Sequence, residues 1–224
     1  MIDRYDAVVF DNDGVLVEPT DTEVLVDAVV ESFRAFDVEI ERSLAQETVE
    51  KDAVPVETAR DHGLDPEAFW HDRELRASLA QQTHAREGGK PVYDDVAALT
   101  RLNIPLGVVS NNQHATIEFL LTHHDLTHFE TAYGRQPTLN GAAKRKPEPD
   151  YIRWALSDLG TDEALYVGDS EKDIIAAHNA GIDSAFLRRD HVADIELSTE
   201  PTFEVSDLGA LVERLTAAGQ ERHT

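Results

Sequence analysis

The chain of 224 residues has no cysteine and only five lysines: Lys51, Lys90, Lys144, Lys146 and Lys172. Without cysteine there is no disulfide framework, no thiolate metal ligand and no thiol nucleophile, so any bound metal takes oxygen or imidazole ligands. Positive charge as a whole is scarce. Twenty lysines and arginines face 44 aspartates and glutamates, a formal net charge of −24. Nucleic acid and anionic membranes both need positive surface, so neither is expected as a partner. Long apolar runs are also missing, and none approaches the roughly 18 residues of a membrane span. The start, Met1-Ile2-Asp3-Arg4, has neither the basic nor the apolar region of a secretory leader, so a cytoplasmic location is expected. Acid excess with little lysine suits molar salt, where the Debye length shrinks to about 3 Å and the self-repulsion of such a surface is screened. The expectation is a halophilic protein.

What is present alternates. Ala7-Val8-Val9-Phe10 reads as a short strand buried on both faces. Residues 18–88 then carry only helical spacing, over 21–35, 41–52, 56–62 and 66–83, with Thr20 as the expected N-cap of the first helix. Gly88-Gly89-Lys90-Pro91 breaks that pattern. Beyond it come a helix over 92–102, a strand over 105–109 ending at Ser110, and a helix over 114–122. A short strand over 129–133, a polar loop over 134–146 and a helix over 149–159 follow. A strand over 164–167, a helix over 171–180 closed by Gly181, strands over 184–187 and 203–205, and a helix over 208–217 complete the chain, with 220–224 as a frayed tail. Alternating strands and helices predict an α/β fold: a Rossmann-like parallel sheet with helices on both faces. The helical stretch predicts an inserted all-helical cap over 18–88, with the core formed by 1–17 and 89–224.

The first strand runs into Asp11-Asn12-Asp13-Gly14, which sets two carboxylates at the sheet edge where open α/β folds place ligands. Alone, the same residues also fit an ordinary turn. Two later strands end in Ser110 and Asp169, and Asp173 lies one helical turn beyond Asp169. Asp11, Asp13, Asp169 and Asp173 then form a nest of hard oxygens that suits Mg²⁺. Acids at a helix N-terminus are also favoured by the macrodipole without any metal. Lys146, in the loop before a helix, offers a compact charge for phosphate and for the carboxylates.

In order and spacing these motifs resemble the haloacid dehalogenase-like hydrolase superfamily, in particular its phosphoglycolate phosphatase-like branch with a helical cap. Asp11-Asn12-Asp13-Gly14 matches the first motif, Ser110 after Val108-Val109 the second, Lys146-Pro147 the third and Gly168-Asp169-Ser170-Glu171-Lys172-Asp173 the fourth. The resemblance implies that Asp11 is the nucleophile, forming an aspartyl-phosphate, and Asp13 the general acid and base. It implies Mg²⁺ held by Asp11, the Asp13 backbone carbonyl, Asp169 and Asp173, with Ser110, Asn111 and Lys146 holding phosphoryl oxygens. A dehalogenase of this superfamily lacks the acid that Asp13 supplies, and a phosphonate-cleaving relative needs a Schiff-base lysine in its cap, where only Lys51 stands, with Lys90 at the edge.

The expected activity is Mg²⁺-dependent hydrolysis of a small phosphorylated metabolite, phosphoglycolate being the nearest analogy, by a monomer or homodimer. A phosphosugar mutase of the β-phosphoglucomutase type uses the same two aspartates, and a non-catalytic binding module is the alternative of another class. In the cap, Arg60, His71, Arg73 and Arg76 are candidates for a second anionic group of the substrate or for surface ion pairs, while Phe69 and Trp70 read as cap core.

Overall fold

β1 (Ala7–Phe10) is completely buried because both of its faces carry helices. Val8 and Phe10 pack with Leu106, Val108, Leu165 and Val167 on one side, and Ala7 and Val9 with Val109, Tyr166 and Ala176 on the other. The computed structural model describes residues 4–217. β1 lies in a six-stranded, wholly parallel sheet with β2 (Leu106–Gln113), β3 (Thr131–Arg135), β4 (Ala164–Gly168), β5 (Asp183–Leu187) and β6 (Phe203–Val205). The order β3-β2-β1-β4-β5-β6 puts the reversal of winding between β1 and β4, the crevice where such sheets bind ligands.

Four helices stand between β1 and β2: α1 (Thr22–Arg34), α2 (Arg42–Glu50), α3 (Val56–Asp61) and α4 (Pro66–Arg86). They bury a core of their own from Val26, Val29, Phe33, Ala45, Ala59 and Phe69, with the rings of Phe33 and Phe69 4.4 Å apart. The two chain crossings run side by side, Val17 bridging Val92 and the Glu18 amide donating to the Pro91 carbonyl at 2.9 Å. α4 does not stop at that crossing. Its Ser78 hydroxyl accepts from the Thr116 hydroxyl of α5 (His114–His123) at 2.8 Å, so one long helix serves both parts of the fold.

The rest of the chain completes the layers. α7 (Asp150–Leu159) and α8 (Glu171–Ala180) cover one face, α5 and α9 (Leu208–Ala217) the other. Gly160 and Gly181 close α7 and α8 in the left-handed conformation, at φ 70° and 86°, which glycine adopts without strain. Among the described residues, no helix is long and apolar enough to cross a membrane.

Four sequence expectations change. Asp21, not Thr20, caps α1, accepting from the Glu23 amide at 2.9 Å. The expected helix before β2 is a 3₁₀ stretch over Asp94–Arg101. The loop over 134–146 contains a one-turn helix, α6 (Leu139–Ala143). β2 does not end before Ser110 but continues to Gln113, its pairing to β3 shifting between Val109 and Gln113. The tail at 220–224 lies outside the described residues.

Candidate active site

Register places the acids. Phe10 pairs with Val108 on one side and Val167 on the other, so the next residue of each strand, Asp11, Val109 and Gly168, reaches the same edge. The Asp11 amide still donates to the Val167 carbonyl at 2.9 Å, which fixes its side chain at the crevice. The chain then curls back, the amides of Leu16 and Val17 both donating to the Asn12 carbonyl at 2.8 and 3.1 Å. Gly14 makes that curl at φ 77°, and a Cβ there would stand 1.9 Å from Asp169 Oδ2. Only glycine leaves room for Asp169. Gly168 serves Asp173 in the same way, since a Cβ on it would meet the Asp173 side chain at 2.3 Å.

Oxygens of Asp11, Asp169 and Asp173 all lie within 4.8 Å of one another. Lys146, 2% exposed, stands among them, its Nζ 2.9 Å from Asp11 Oδ2 and 2.6 Å from Asp173 Oδ1. It also donates to the Tyr166 hydroxyl at 2.7 Å, and that hydroxyl donates to the Val109 carbonyl at 2.6 Å. Asp173 Oδ2 accepts from the amide and the hydroxyl of Ser170 at 2.9 and 2.7 Å, closing a capping box on α8. Burial pushes Asp11 up to about 7; Lys146 opposes the shift, and Asp173 and Asp169 add to it. Burial raises Asp169 as well, offset by a hydrogen bond from His191 at 2.7 Å and reinforced by Asp173. Burial alone would lower Lys146, but Asp11 and Asp173 hold it above the ordinary lysine range.

Asp13 turns away from this cluster. Its carboxylate accepts from Lys90 Nζ, from Asn112 Nδ2 at 2.8 Å and from Asn12 Nδ2 at 3.4 Å. Lys90, at the edge of the helical insertion as the sequence places it, is 0% exposed and also donates to the Thr20 hydroxyl at 2.6 Å. Thr20 donates in turn to Gln81 Oε1 of α4 at 2.6 Å, which explains why it does not cap α1. Gln81 and Asn112 exchange two 2.8 Å amide hydrogen bonds.

Ser110 is buried beside Asn112, whose amide its hydroxyl accepts at 3.2 Å. The side chain of Asn111 is already engaged with the Lys146 backbone, donating to its carbonyl at 2.9 Å and accepting from its amide at 2.7 Å. It therefore positions Lys146. Of the cap candidates, Arg60 pairs with Glu57, Arg76 with Asp72, both at the surface, and His71 meets the Pro137 carbonyl at 3.1 Å. Arg73 alone is buried, and burial lowers it from the ordinary arginine range. Phe69 belongs to the cap core, as expected, whereas the Trp70 indole N–H reaches across to the Thr138 carbonyl at 3.2 Å. Lys51 is exposed and pairs with Glu47.

A cavity of about 270 Å³ opens beside Asp13, lined among others by Leu25, Val49, Arg73, Gln81, Asn112 and Arg135. That is the small end of the range for small-molecule sites. A second opening reaches Asp11, Asp52, Lys146 and Asp169. Arg135 and His191 do not stand out in the sequence, and Lys90 stands out there only as a lysine at the edge of the insertion, not as a partner of Asp13. Arg135 and His191 lie at or just past the carboxyl end of a strand, the rule that found Asp11 and Asp169, and Lys90 sits on the returning chain crossing.

Comparison with known proteins gives one consistent result. A family profile described as haloacid dehalogenase-like hydrolase matches residues 8–187. A phosphoglycolate phosphatase of Vibrio cholerae serotype O1 is 31% identical over 156 residues, 67% of each protein. The pyrophosphatase PpaX of Bacillus velezensis is 34% identical over 96 residues, so the chain spans less than half of that relative, 43% of its length against 42% of its own. The fold is that of CbbY from Rhodobacter sphaeroides, solved in complex with phosphate, with a TM-score of 0.68 and 21% identity over 92% of this chain and 96% of that one.

Proposed function

The chain belongs to the haloacid dehalogenase-like hydrolases, and from that membership and the geometry at Asp11 we propose that it is a Mg²⁺-dependent phosphatase of small phosphate monoesters. One observation carries the reading. Two buried carboxylates, Asp11 and Asp173, share a single ammonium, and the half-buried Asp169 lies within 4.8 Å of both, so the cluster gathers more negative charge than Lys146 balances. Buried charge of that size is costly unless a cation balances it, and the donors are all hard oxygens, which fit Mg²⁺. Asp11, Asp169 and Asp173, with the Asp13 backbone carbonyl, would hold the ion. When bound, the ion screens an anionic phosphoryl group from the carboxylate that attacks it.

The residues then divide the work. Asp11 forms a bond to phosphorus as the bond from phosphorus to the leaving oxygen breaks, giving an aspartyl-phosphate. Lys146 and Ser110 hold phosphoryl oxygens as charge develops on them, and Asn111 keeps Lys146 in place. Asp13, on the cavity side, gives its proton to the leaving alkoxide. It then takes a proton from the water that attacks phosphorus, and Asp11 is released. Lys90 and Asn112 fix the direction of the Asp13 carboxylate through both steps. The four helices over 18–88 act as the cap that keeps other water away.

Hydrolysis of p-nitrophenyl phosphate, with Mg²⁺ or with a chelator, tests this at low and molar KCl. The expected result is turnover with Mg²⁺ only, lost in Asp11→Asn by about a thousandfold or more. Asp13→Ala gives an initial burst and then stalls as phosphoenzyme, because nitrophenolate leaves without a proton while the second step lacks its base. Absence of turnover at every salt concentration overturns the proposal in favour of a binding module.

A further inference from the structure

The loop after β5 is fastened to each segment that carries a candidate metal ligand. Arg188 donates Nη1 to the carbonyls of Val192, Ala193 and Ile195 at 3.2, 3.0 and 3.0 Å, which folds the loop back on itself. Val192 packs with Ile174 of α8 and Phe186 of β5. Arg189 grips Asp95 with both Nη atoms and donates Nη2 to the Val15 carbonyl at 2.8 Å, just past the Asp11–Gly14 curl. Glu171, in the first turn of α8 with Asp173, accepts from the amides of Ser198 and Thr199 at 2.8 and 2.9 Å and from the Ser198 hydroxyl. Between these anchors a 3₁₀ turn over Asp190–Val192 presents His191, whose Nε2 donates to Asp169 Oδ2 at 2.7 Å, at the end of β4. Gly14 leaves room for this ring as well, since a Cβ on it would stand 2.9 Å from His191 Nε2. Oδ2 of Asp169 is thus enclosed by Gly14 and His191, which leaves Oδ1 to meet an ion. Nothing in phosphoryl transfer calls for this imidazole.

We propose that His191 is a positioning residue for the cation: it locks Asp169 in the orientation that receives Mg²⁺ and so sets the affinity of the site. This rests on the metal half of the phosphatase reading, in which Asp169 would hold the ion. A carboxylate that binds an ion must stop rotating, and a donor on its second oxygen has already stopped it. An imidazole N–H makes that bond without having to carry a charge, so the negative charge of Asp169 is kept for the ion. Lys146 acts differently, because its ammonium competes with the ion for the charge of Asp11 and Asp173. The anchors on Val15 and Glu171 hold the imidazole in register with the curl that carries the Asp13 carbonyl and with the helix that carries Asp173.

Calorimetry with MgCl₂ on the chelator-treated full chain tests this without turnover. His191→Phe is expected to weaken Mg²⁺ binding about 10- to 100-fold, the usual cost of losing a partner behind a metal ligand. His191→Gln, whose Nε2 can make the same donation, recovers most of that loss. Unchanged affinity in folded His191→Phe, or no recovery in His191→Gln, overturns the proposal. Melting curves in chelator identify a variant that fails to fold, and His191→Ala then replaces His191→Phe under the same expectations. Mn²⁺ supplies a second readout, because electron spin echo spectra are expected to show no imidazole nitrogen bound to the ion. A directly bound nitrogen that vanishes in His191→Phe makes His191 a ligand and overturns the positioning role. A wild-type chain that binds neither ion refutes the metal reading and this inference together. Mg²⁺ affinity that depends on His191, in a chain that hydrolyses no phosphate monoester, refutes the phosphatase alone.

Discussion

Asp11 is held between opposing influences, and the balance makes the bare site a proton trap. Its carboxyl is raised from 3.8 to about 7, chiefly by burial. Between those values the folded chain keeps a proton that the unfolded chain has released. That contribution to stability is complete below the unfolded value and is lost as pH rises through about 7. Asp169, also raised, adds in the same direction. A bound divalent cation takes the proton's place. In chelator, the melting temperature is therefore expected to fall from about pH 5 to about pH 8, and millimolar Mg²⁺ to remove most of that fall. Apparent Mg²⁺ affinity, read by calorimetry, rises with pH up to about 7 and then levels. A melting curve in chelator that is flat or rises over this range contradicts the prediction. At this scale the sequence was legible where a residue is dictated by its immediate neighbours. Asp11 and Asp169 end apolar runs, and Asp173 follows one helical turn later. Lys90, Arg135 and His191 depend on partners 77, 61 and 22 residues away, and no local pattern encodes those pairings.

Elements differ in how strongly their own sequence determines them. β1 and β4 are buried throughout and are legible in the sequence nearly to the residue, because burial on both faces leaves charged residues no place but the ends. β2 reads in the sequence as ending at Ser110 because its last residues are polar, yet they stay in the sheet, where Asn112 and Gln113 hydrogen-bond to Gln81 of α4. Thr20 likewise does not cap α1, because Lys90 and Gln81 engage its hydroxyl. The helical insertion depends on its own small core, centred on the packed rings of Phe33 and Phe69. Phe33→Ala is expected to destabilise the chain by about 3–5 kcal/mol, the usual cost of emptying a buried aromatic site. Denaturant titration checks this, and a loss below about 1 kcal/mol would mean that the cap core contributes little.

For the whole molecule, charge is the dominant fact. A net −24 on 224 residues repels itself at low ionic strength. The melting temperature is expected to rise from low to molar KCl; a flat or falling curve contradicts adaptation to salt. The same ions act in the opposite sense on one contact. Asp52, in the left-handed conformation at φ 47°, joins the helical insertion to the sheet by facing Lys172, Arg145 and Arg135 at 3.1, 3.5 and 3.7 Å, and its carbonyl accepts from Arg145 at 2.9 Å. Its carboxylate is partly open to solvent, so these attractions are screened. Salt is therefore expected to relieve the self-repulsion of the whole surface while weakening this contact between the helical insertion and the sheet. One carboxylate, more than any apolar seam, thus makes the seating of the insertion on the sheet answer to the medium.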